Sequence, residues 1–242
     1  MTRFGLIGKT LSHSFSQKYF TQKFQELGLK DHQYDLFELS TISEVEKIFK
    51  LSELKGLNVT VPYKQSVLPY LNQLDDTAQK VGAVNVIKLE KGRKIGFNSD
   101  YLGFKKSLEQ WLPQPFRNTA LVLGTGGASK AVECSLKDLG IDYQLVSRNP
   151  SESQISYEYV NELIHKTKLI INTTPLGMAP EIDNCPDLDY NQITSEHYLY
   201  DLVYNPEETL FLAKGKSKGA SIKNGLEMLH LQAEESWKIW NK

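Results

Sequence analysis

The sequence of 242 residues predicts an α/β protein with two domains. Three observations lead to this prediction. Short apolar segments of strand length alternate along the chain with segments whose apolar residues recur every three or four positions, which is typical of α/β architecture. A glycine-rich turn near residue 124 separates one apolar strand from the helix that follows it. A proline-containing segment at 113–116 interrupts the alternation near the middle of the chain.

The bulk composition excludes several classes of protein. With 28 basic and 29 acidic residues, the net charge of −1 gives no electrostatic footprint for nucleic acid. No apolar run approaches the roughly 20 residues that a membrane-spanning helix needs, and the N-terminal MTRFGLIGKT is unlike a secretory signal. Of the two cysteines, Cys134 lies in an apolar helical pattern and is predicted to be a buried free thiol. We therefore expect a cytoplasmic protein that binds neither nucleic acid nor membranes.

The first half of the chain predicts a strand-rich domain. Apolar runs predict three strands, at residues 3–8, 34–39 and 56–61. Apolar stripes predict four helices, at residues 16–28, 43–51, 64–74 and 100–112. Ser43 is the expected cap of the second helix, and Pro69 predicts a break in the third. The remaining segment, 83–98, reads as a hairpin that turns at Lys91 and Gly92.

The second half predicts a mainly parallel sheet. A strand, a glycine-rich turn and a helix occupy residues 119–140. Further buried strands are predicted, at residues 143–148, 168–174 and 198–204. The last helix, 225–240, carries an apolar stripe that includes two tryptophans, so we expect it to pack on the first domain. The predicted domains are 1–101 together with 225–242, and 102–224.

The turn in LVLGTGGAS has the properties of a dinucleotide-binding turn. Gly124 permits the tight bend, and Gly126 lets the backbone approach a pyrophosphate whose charge the N–H groups of the next helix attract. The strand before it and the helix after it are the context that this motif requires. One position departs from the G-x-G-x-x-G spacing, because Ser129 stands where the third glycine is usual. The alternative is a tight strand–helix turn that holds no ligand.

The residues after the next strand indicate which dinucleotide would bind. An NAD site usually carries an acidic residue there, on the ribose hydroxyls. This chain has Ser147, Arg148 and Asn149 instead. A guanidinium suits a 2′-phosphate, which favours NADP over NAD. The alternative is an exposed arginine at the end of a strand.

Polar residues also follow a strand in the first half, in NVTVPYK. Asn58, Thr60 and Lys64 either converge on a small polar ligand or belong to an edge strand with a solvated lysine. Similar polar clusters stand in LSHSFS (11–16), GAVNV (82–86) and GFNSDYLG (96–103). His13 in the first cluster is expected to be structural. No cluster has the spacing of metal ligands, so we predict no metal.

Taken together, the motifs resemble those of the shikimate dehydrogenase family. Besides the glycine turn and the polar clusters, the resemblance rests on NTTPLGM (172–178), YDLVYNP (200–206) and GLEMLHLQA (225–233). It runs in the family's order from about residue 5 to residue 233. It implies an N-terminal α/β substrate domain and a Rossmann-like dinucleotide-binding domain. The implied reaction is the reversible NADPH-dependent reduction of 3-dehydroshikimate to shikimate in aromatic amino-acid biosynthesis, by a monomer or homodimer.

The resemblance also implies roles for single residues. Lys64 and Asp100 would form the catalytic pair, with the lysine as general acid–base. The implied substrate contacts are Ser14, Ser16, Asn58, Thr60, Asn85, Tyr204 and Gln232. The implied cofactor contacts are Gly124, Gly126, Gly127, Ala128, Ser147, Arg148, Asn149, Thr173, Gly225 and Met228. Ordinary helix capping is the alternative for Asp100 and for the two serines.

Two departures from the family pattern stand out. Ser99 replaces the threonine of the N-T-D motif, which keeps a hydroxyl. Glu227 stands where a small residue is usual, so it puts a charge near the expected nicotinamide edge unless the side chain turns away. Two rival functions remain open: a quinate/shikimate dehydrogenase with broader substrate or NAD use, and a non-catalytic relative that binds the ligand for regulation. If the chain is an enzyme, its two lobes should close on the ligand, because water must leave before hydride transfer.

Overall fold

The computed structural model describes residues 1–11 and 14–242. The chain forms two compact units, one made of Met1–Leu102 and Gln232–Lys242, the other of Gly103–Leu231. Each unit contains a six-stranded sheet with helices, which confirms the predicted α/β class. No helix in the described part of the chain is long and apolar enough to cross a bilayer.

The first unit contains a mixed sheet. Its strands are β1 (Thr2–Gly8), β2 (His32–Glu38), β3 (Leu54–Val59), β4 (Gln73–Leu74), β5 (Val86–Glu90) and β6 (Arg93–Phe97). They lie in the order β2-β1-β3-β5-β6-β4. The first three are mutually parallel, whereas β5 runs antiparallel to both β3 and β6. The end of β3, the start of β5 and the end of β6 therefore meet at one edge of the sheet.

Helices of the first unit differ in detail from the prediction. They are α1 (Phe15–Glu26), α2 (Val45–Ile48), α3 (Tyr63–Ser66), α4 (Asp76–Val81) and the start of α5 (Ser99–Trp111). Of the helix predicted over 64–74, only the first turn is α-helical; the break predicted at Pro69 is confirmed, because Pro69 lies in a separate 3₁₀ turn. Ser43 is not the cap of the second helical segment; Thr41 takes that place, and its N–H donates to Glu44 at 3.1 Å. The short helix α4 was not predicted.

In the second unit the sheet is entirely parallel. Its strands are β7 (Ala120–Leu123), β8 (Tyr143–Val146), β9 (Gln154–Ile155), β10 (Leu169–Asn172), β11 (Tyr198–Asp201) and β12 (Ser221–Lys223). The order β12-β11-β10-β7-β8-β9 is that of a doubly wound, Rossmann-like sheet. The order reverses between β7 and β10, so the crevice where such sheets bind ligands lies beyond the carboxyl ends of these two strands.

The helices of the second unit include two that the sequence pattern did not reveal. The unit contains the rest of α5, α6 (Gly127–Asp138), α7 (Tyr157–Val160), α8 (Leu210–Ser217) and the start of α9 (Leu226–Asn241). The short α7 and the lysine-rich α8 were missed, although α8 buries Phe211 and Leu212. Cys134 on α6 is half-buried and not fully buried as predicted, and it forms no disulfide.

The tryptophan-rich end of α9 packs into the core of the first unit. The Trp240 ring lies 4.7 Å from Phe4 and 5.1 Å from Phe20 between ring centroids. Its indole N–H donates to the carbonyl of Ile87 at 3.1 Å, so the buried polar end of the ring is satisfied. The expectation that this helix packs on the first domain is confirmed. It also fixes the helix face that carries Gln232 and Ser236, which are both buried.

Candidate active site and cofactor pocket

Topology brings the polar clusters of the first unit to one edge of its sheet. Asn58 is paired with Val86, and Val86 in turn with Phe97. Asn85 therefore precedes β5 at the edge where β3 and β6 end. The segments that follow β3 and β6 carry Lys64 and Asp100. Four residues that are far apart in sequence thus share one edge of one sheet.

Lys64 and Asp100 form an ion pair at this edge. The lysine Nζ lies 2.7 Å from Asp100 Oδ2, and the two side chains are 22% and 16% exposed. Helix α3 presents the lysine, while α5 presents the aspartate in its first turn. The cap of α5 is Asn98, whose Oδ1 accepts from the Tyr101 N–H at 3.0 Å. Helix capping therefore does not explain Asp100, and its carboxylate is directed to the lysine.

Behind the pair lies a buried chain of neutral hydrogen bonds. Asn85 Nδ2 donates to Ser99 Oγ at 3.0 Å, and its Oδ1 accepts from the Ser99 N–H at 2.7 Å. Asn58 Nδ2 donates to Ser236 Oγ at 3.0 Å, while its Oδ1 accepts from the Tyr34 hydroxyl at 2.7 Å. All of these side chains are buried. Sequence reasoning missed Tyr34 and Ser236, because neither belongs to a motif.

Ser14 and Ser16 lie at the start of α1. Ser14 is the N-cap, and its Oγ accepts from the Gln17 N–H at 3.2 Å. Burial raises the pKa of Tyr34, and a hydrogen bond with Ser16 offsets part of that rise. Helix capping thus explains the placement of Ser14 without a ligand. The hydrogen bond with the Tyr34 hydroxyl does the same for Ser16. His13 lies outside the described residues.

The three remaining predicted substrate contacts lie in different places. Thr60 is half-buried just after β3, and its N–H donates to the Ile7 carbonyl at 2.9 Å. Gln232 is buried in the first unit, where the Ser99 hydroxyl donates to its Oε1 at 3.4 Å. Tyr204 belongs to the second unit, and burial raises its pKa.

A cavity of about 730 Å³ lies in the second unit at the carboxyl ends of its central strands. It is lined by six of the predicted cofactor contacts, which are Gly124, Gly126, Ser147, Arg148, Asn149 and Thr173. Gly127 and Ala128 form the first turn of α6 beside it. Gly225 and Met228 are not among the residues that line it. The lining also includes residues that were not predicted, among them Thr125, Tyr157, Thr174, Cys185 and Asp187.

The glycine turn has the geometry of a close backbone approach. Gly124 has a φ of +103°, and a Cβ there would lie 2.9 Å from Thr173 Oγ1. Within the described part of the chain, no side chain caps α6 at Gly126. Ser129, the departure from the glycine pattern, is buried, and its hydroxyl donates to the Gly126 carbonyl at 2.7 Å. The serine thus stabilises the turn, and the uncapped helix start favours an anionic ligand.

Arg148 supplies an exposed positive charge to this cavity. Burial raises the pKa of Tyr157; the charge of Arg148 lowers it and that of Asp187 raises it. The Arg148, Tyr157 and Asp187 side chains all line this cavity. A phosphate could therefore find a cation here, next to one acidic group. The residues present fit the pyrophosphate and the 2′-phosphate of NADP.

The unusual Glu227 is engaged in the second unit. Its Oε2 accepts from Ser107 Oγ at 2.7 Å and pairs with Lys223. Burial alone would raise the pKa of Glu227, but the hydrogen bonds with Lys223 and Ser107 lower it overall. The charge is thus balanced by a neighbouring lysine. Just before it, Gly225 packs so closely that an added Cβ would lie 2.1 Å from the Leu202 carbonyl oxygen.

Among the described residues, no group of three or more His, Cys, Asp or Glu side chains is arranged to hold a metal ion.

Comparisons with known proteins agree with this geometry. Residues 6–87 match the model of the shikimate dehydrogenase substrate binding domain. A protein of Clostridium beijerinckii named shikimate dehydrogenase (NADP(+)) is 41% identical, over 100% of this chain and 93% of the relative. The chain belongs to the shikimate dehydrogenase family.

Solved structures of the family superimpose on nearly the whole chain. Shikimate dehydrogenase from Aquifex aeolicus matches with a TM-score of 0.90 and 36% identity, covering 100% of this chain and 92% of the other. The Thermus thermophilus enzyme, solved in complex with NADP(H) and shikimate, matches with a TM-score of 0.86 and 29% identity. That match covers 99% of this chain and 93% of the other.

Proposed function

We infer that the chain catalyses the reversible NADPH-dependent reduction of 3-dehydroshikimate to shikimate. Membership of the shikimate dehydrogenase family and the full-length match to relatives named shikimate dehydrogenase (NADP(+)) support this reaction. The observation that supports this reaction most directly is the Lys64–Asp100 pair, whose charged atoms lie 2.7 Å apart at the polar edge of the first sheet. The reaction belongs to the shikimate pathway of aromatic amino-acid biosynthesis.

The pair has the chemistry that the reaction needs. NADPH, when bound, supplies a hydride to the ketone carbon. The Lys64 ammonium donates a proton to the ketone oxygen as negative charge develops there, and in the reverse direction the neutral amine accepts it from the hydroxyl. Asp100 holds the ammonium in place through a charge-assisted hydrogen bond. Since both side chains are mostly shielded from water, their interaction is stronger than that of a surface pair.

Substrate contacts follow from the same edge of the sheet and from the family resemblance. Asn58, Thr60, Asn85 and Gln232 contact ring hydroxyls or the carboxylate. Ser14 and Ser16 hold the carboxylate at the start of α1, where the helix N–H groups favour negative charge. Tyr204, which belongs to the second unit, contacts the carboxylate as well. The other assignments make the first unit the substrate domain.

For the cofactor, the contacts are those of the second unit. The glycine turn and the start of α6 hold the pyrophosphate, and Ser147, Arg148 and Asn149 hold the 2′-phosphate. Thr173 closes the turn by donating to the Leu123 carbonyl at 2.8 Å. Gly225 and Met228 contact the nicotinamide end. As an assembly, we propose a monomer or homodimer.

A spectrophotometric assay tests the function directly. Purified protein with shikimate is offered NADP and NAD in separate wells, and reduction is followed in the nicotinamide absorbance band. We expect rapid reduction of NADP and little of NAD. Quinate in place of shikimate is the parallel control for substrate choice.

Each other outcome of this assay favours one of the rival functions. Equal use of the two cofactors would keep the dehydrogenase but contradict the role of Arg148. Turnover of quinate at a rate similar to that of shikimate would indicate the broader quinate/shikimate enzyme. No reduction of either cofactor by folded protein would favour a ligand-binding relative without catalysis.

A further inference from the structure

Buried hydroxyl groups of the first unit form hydrogen bonds with residues that are proposed to contact the substrate. Tyr34 is fully buried and donates to Asn58 at 2.7 Å. Ser236 accepts from Asn58 Nδ2 at 3.0 Å and lies 3.3 Å from the Ser99 hydroxyl. Ser99 in turn bonds the side chain of Asn85. Neither Tyr34 nor Ser236 lies in a motif, and neither has a role in the reaction proposed above.

The contacts of Asn58 fix the orientation of its amide. Nδ2 faces the backbone carbonyl of Asn85 at 3.3 Å as well as Ser236 Oγ. A carbonyl oxygen can only accept a hydrogen bond, so the amide nitrogen and not its oxygen must point there. The oxygen then faces Tyr34, whose hydroxyl donates to it. A 180° flip would place two acceptors against each other, because the Asn58 oxygen would face the Asn85 carbonyl.

The Ser236 hydroxyl is oriented so that its oxygen accepts a hydrogen bond from Asn58. Its hydroxyl donates to the Gln232 carbonyl one turn earlier in α9, at 2.9 Å. With its proton used there, Ser236 Oγ meets Asn58 Nδ2 as an acceptor. The Trp240 contacts described above anchor this part of α9 to the core. The two hydrogen bonds therefore run in one direction: Asn58 donates to Ser236, and Ser236 donates to the Gln232 carbonyl.

We propose that Ser236 and Tyr34 are positioning residues of the substrate site, which act by locking the Asn58 amide in one orientation. The proposal rests on the proposed function, since Asn58 is a substrate contact only if shikimate binds at this edge. A buried amide held on both sides loses little freedom when the ligand arrives, so its contact contributes more to binding. Loss of the Tyr34 hydroxyl takes this donor from the buried Asn58 oxygen, and loss of the Ser236 hydroxyl leaves the amide nitrogen with the Asn85 carbonyl at 3.3 Å, so each loss weakens the lock.

Two single variants test this, and each removes one hydroxyl. Ser236→Ala removes the acceptor, and Tyr34→Phe removes the donor but keeps the ring that stacks 4.8 Å from Phe20. We expect each to raise the KM for shikimate about fivefold, as the loss of one net hydrogen bond would, with kcat changed less than about twofold. If Ser236→Ala does not fold, Tyr34→Phe decides the question by comparison with its double variant that also carries Asn58→Ala.

Ser135→Ala is the matched control. Ser135 is also a buried helix serine, whose hydroxyl donates to the carbonyl four residues earlier, Ala131, at 2.8 Å. It lies on α6 in the second unit. We expect a comparable loss of thermal stability with no change in KM for shikimate. An equal rise in KM in this control would show that the effect is a general response to destabilisation.

A double-mutant cycle separates positioning from structure. In an Asn58→Ala background, Ser236→Ala should add nothing to the KM for shikimate, because the group that it positions is gone. Tyr34→Phe should add less there than it does alone, and what remains measures its hydrogen bond with Ser16. Unchanged KM values in the single variants, or the same rise in KM with and without Asn58, would overturn the proposal.

NMR of the Asn58 side-chain amide gives a readout that does not need turnover. In the wild-type protein we expect slow hydrogen exchange at this amide, and faster exchange in Ser236→Ala but not in Ser135→Ala. Rapid exchange in the wild type would contradict the lock even if the enzyme is active. Slow exchange in a folded but inactive wild type would instead contradict only the proposed function.

Discussion

The two units present their candidate ligand contacts in opposite ways. In the first unit, Asn58, Asn85 and Gln232 are buried, and other side chains of the protein already hold them. In the second unit, the turn at Gly126 and the Arg148 guanidinium are exposed. These three candidate substrate contacts are thus held in place without a ligand, whereas the candidate cofactor contacts consist of helix N–H groups and an exposed charge.

This difference determines what a substitution should cost. A buried, hydrogen-bonded side chain contributes to folding as well as to binding, because its loss leaves partners unsatisfied. An exposed arginine contributes little to folding, so its loss should be visible mainly in ligand affinity. Variants in the first unit should therefore affect stability and kinetics together, and variants in the cofactor pocket should affect kinetics alone.

Lys64→Ala is expected to have the largest effect. It removes the proposed general acid–base, so kcat for shikimate oxidation should fall roughly a thousandfold, within the usual range for such groups. Stability should also fall, because Asp100 is left partly buried without its cation. Steady-state kinetics and thermal unfolding measure the two effects.

Lys88→Ala is the control for this variant. Lys88 is a lysine of the same unit, 12% exposed, and it pairs with Glu90 at 3.4 Å. Its loss should leave kcat unchanged. If Lys64→Ala stays within about threefold of the wild-type kcat, Lys64 is not the general acid–base.

Arg148→Ala tests the expectation that an exposed residue of the cofactor pocket affects kinetics and not stability. Loss of a charge-assisted contact of about 2 kcal/mol should lower kcat/KM for NADP roughly thirtyfold. The value for NAD, which has no 2′-phosphate, should change little, and so should the melting temperature. Arg117→Ala, another exposed arginine of the second unit, is the control. An equal loss for both cofactors would mean that Arg148 does not contact the 2′-phosphate.

Asp201 differs from the exposed candidate contacts of the second unit, because its carboxylate is buried. Its Oδ1 accepts from Asn172 Nδ2 at 3.0 Å and its Oδ2 from Thr209 Oγ1 at 2.6 Å. Burial raises the pKa of Asp201 to about 6, although these hydrogen bonds lower it in part. Between pH 4 and about 6 the folded state therefore holds a proton that the unfolded state has released, and stability falls as the pH rises.

Asp201→Asn removes this titration. Relative to the variant, the wild-type free energy of unfolding should fall by about 1 kcal/mol between pH 5 and pH 7.5. Chemical denaturation of both proteins at the two pH values measures the difference, and contributions from other groups cancel. Parallel pH profiles would show that the carboxylate keeps an ordinary pKa in the folded protein.

The sequence was informative where a motif combines chemistry with a fixed place in the fold. The glycine turn predicts a strand–helix junction, and the family resemblance pairs Lys64 with Asp100, whose side chains lie 2.7 Å apart in the structure. Tyr34 and Ser236 could not be found in this way, since a buried tyrosine on a strand and a serine within a helix resemble ordinary core residues. Tyr157, Cys185 and Asp187 reach the cofactor pocket from connecting segments, where no periodicity predicts position.

Glu227→Gln is expected to have the smallest effect, and it asks whether the extra charge belongs to the cofactor site at all. In the structure the carboxylate bonds Ser107 and Lys223, so its charge is already balanced. We expect kcat and KM for NADP to change less than about twofold, and stability at neutral pH to fall by about 0.5 kcal/mol, since the group is partly exposed. The pKa of Glu227 is lowered in the folded state, so this stabilisation exists above its unfolded pKa and should disappear as the pH falls through the folded one.

Ser107→Ala should show a similar loss of stability. A several-fold change in KM for NADP in Glu227→Gln but not in Ser107→Ala would mean that the carboxylate acts on the cofactor directly.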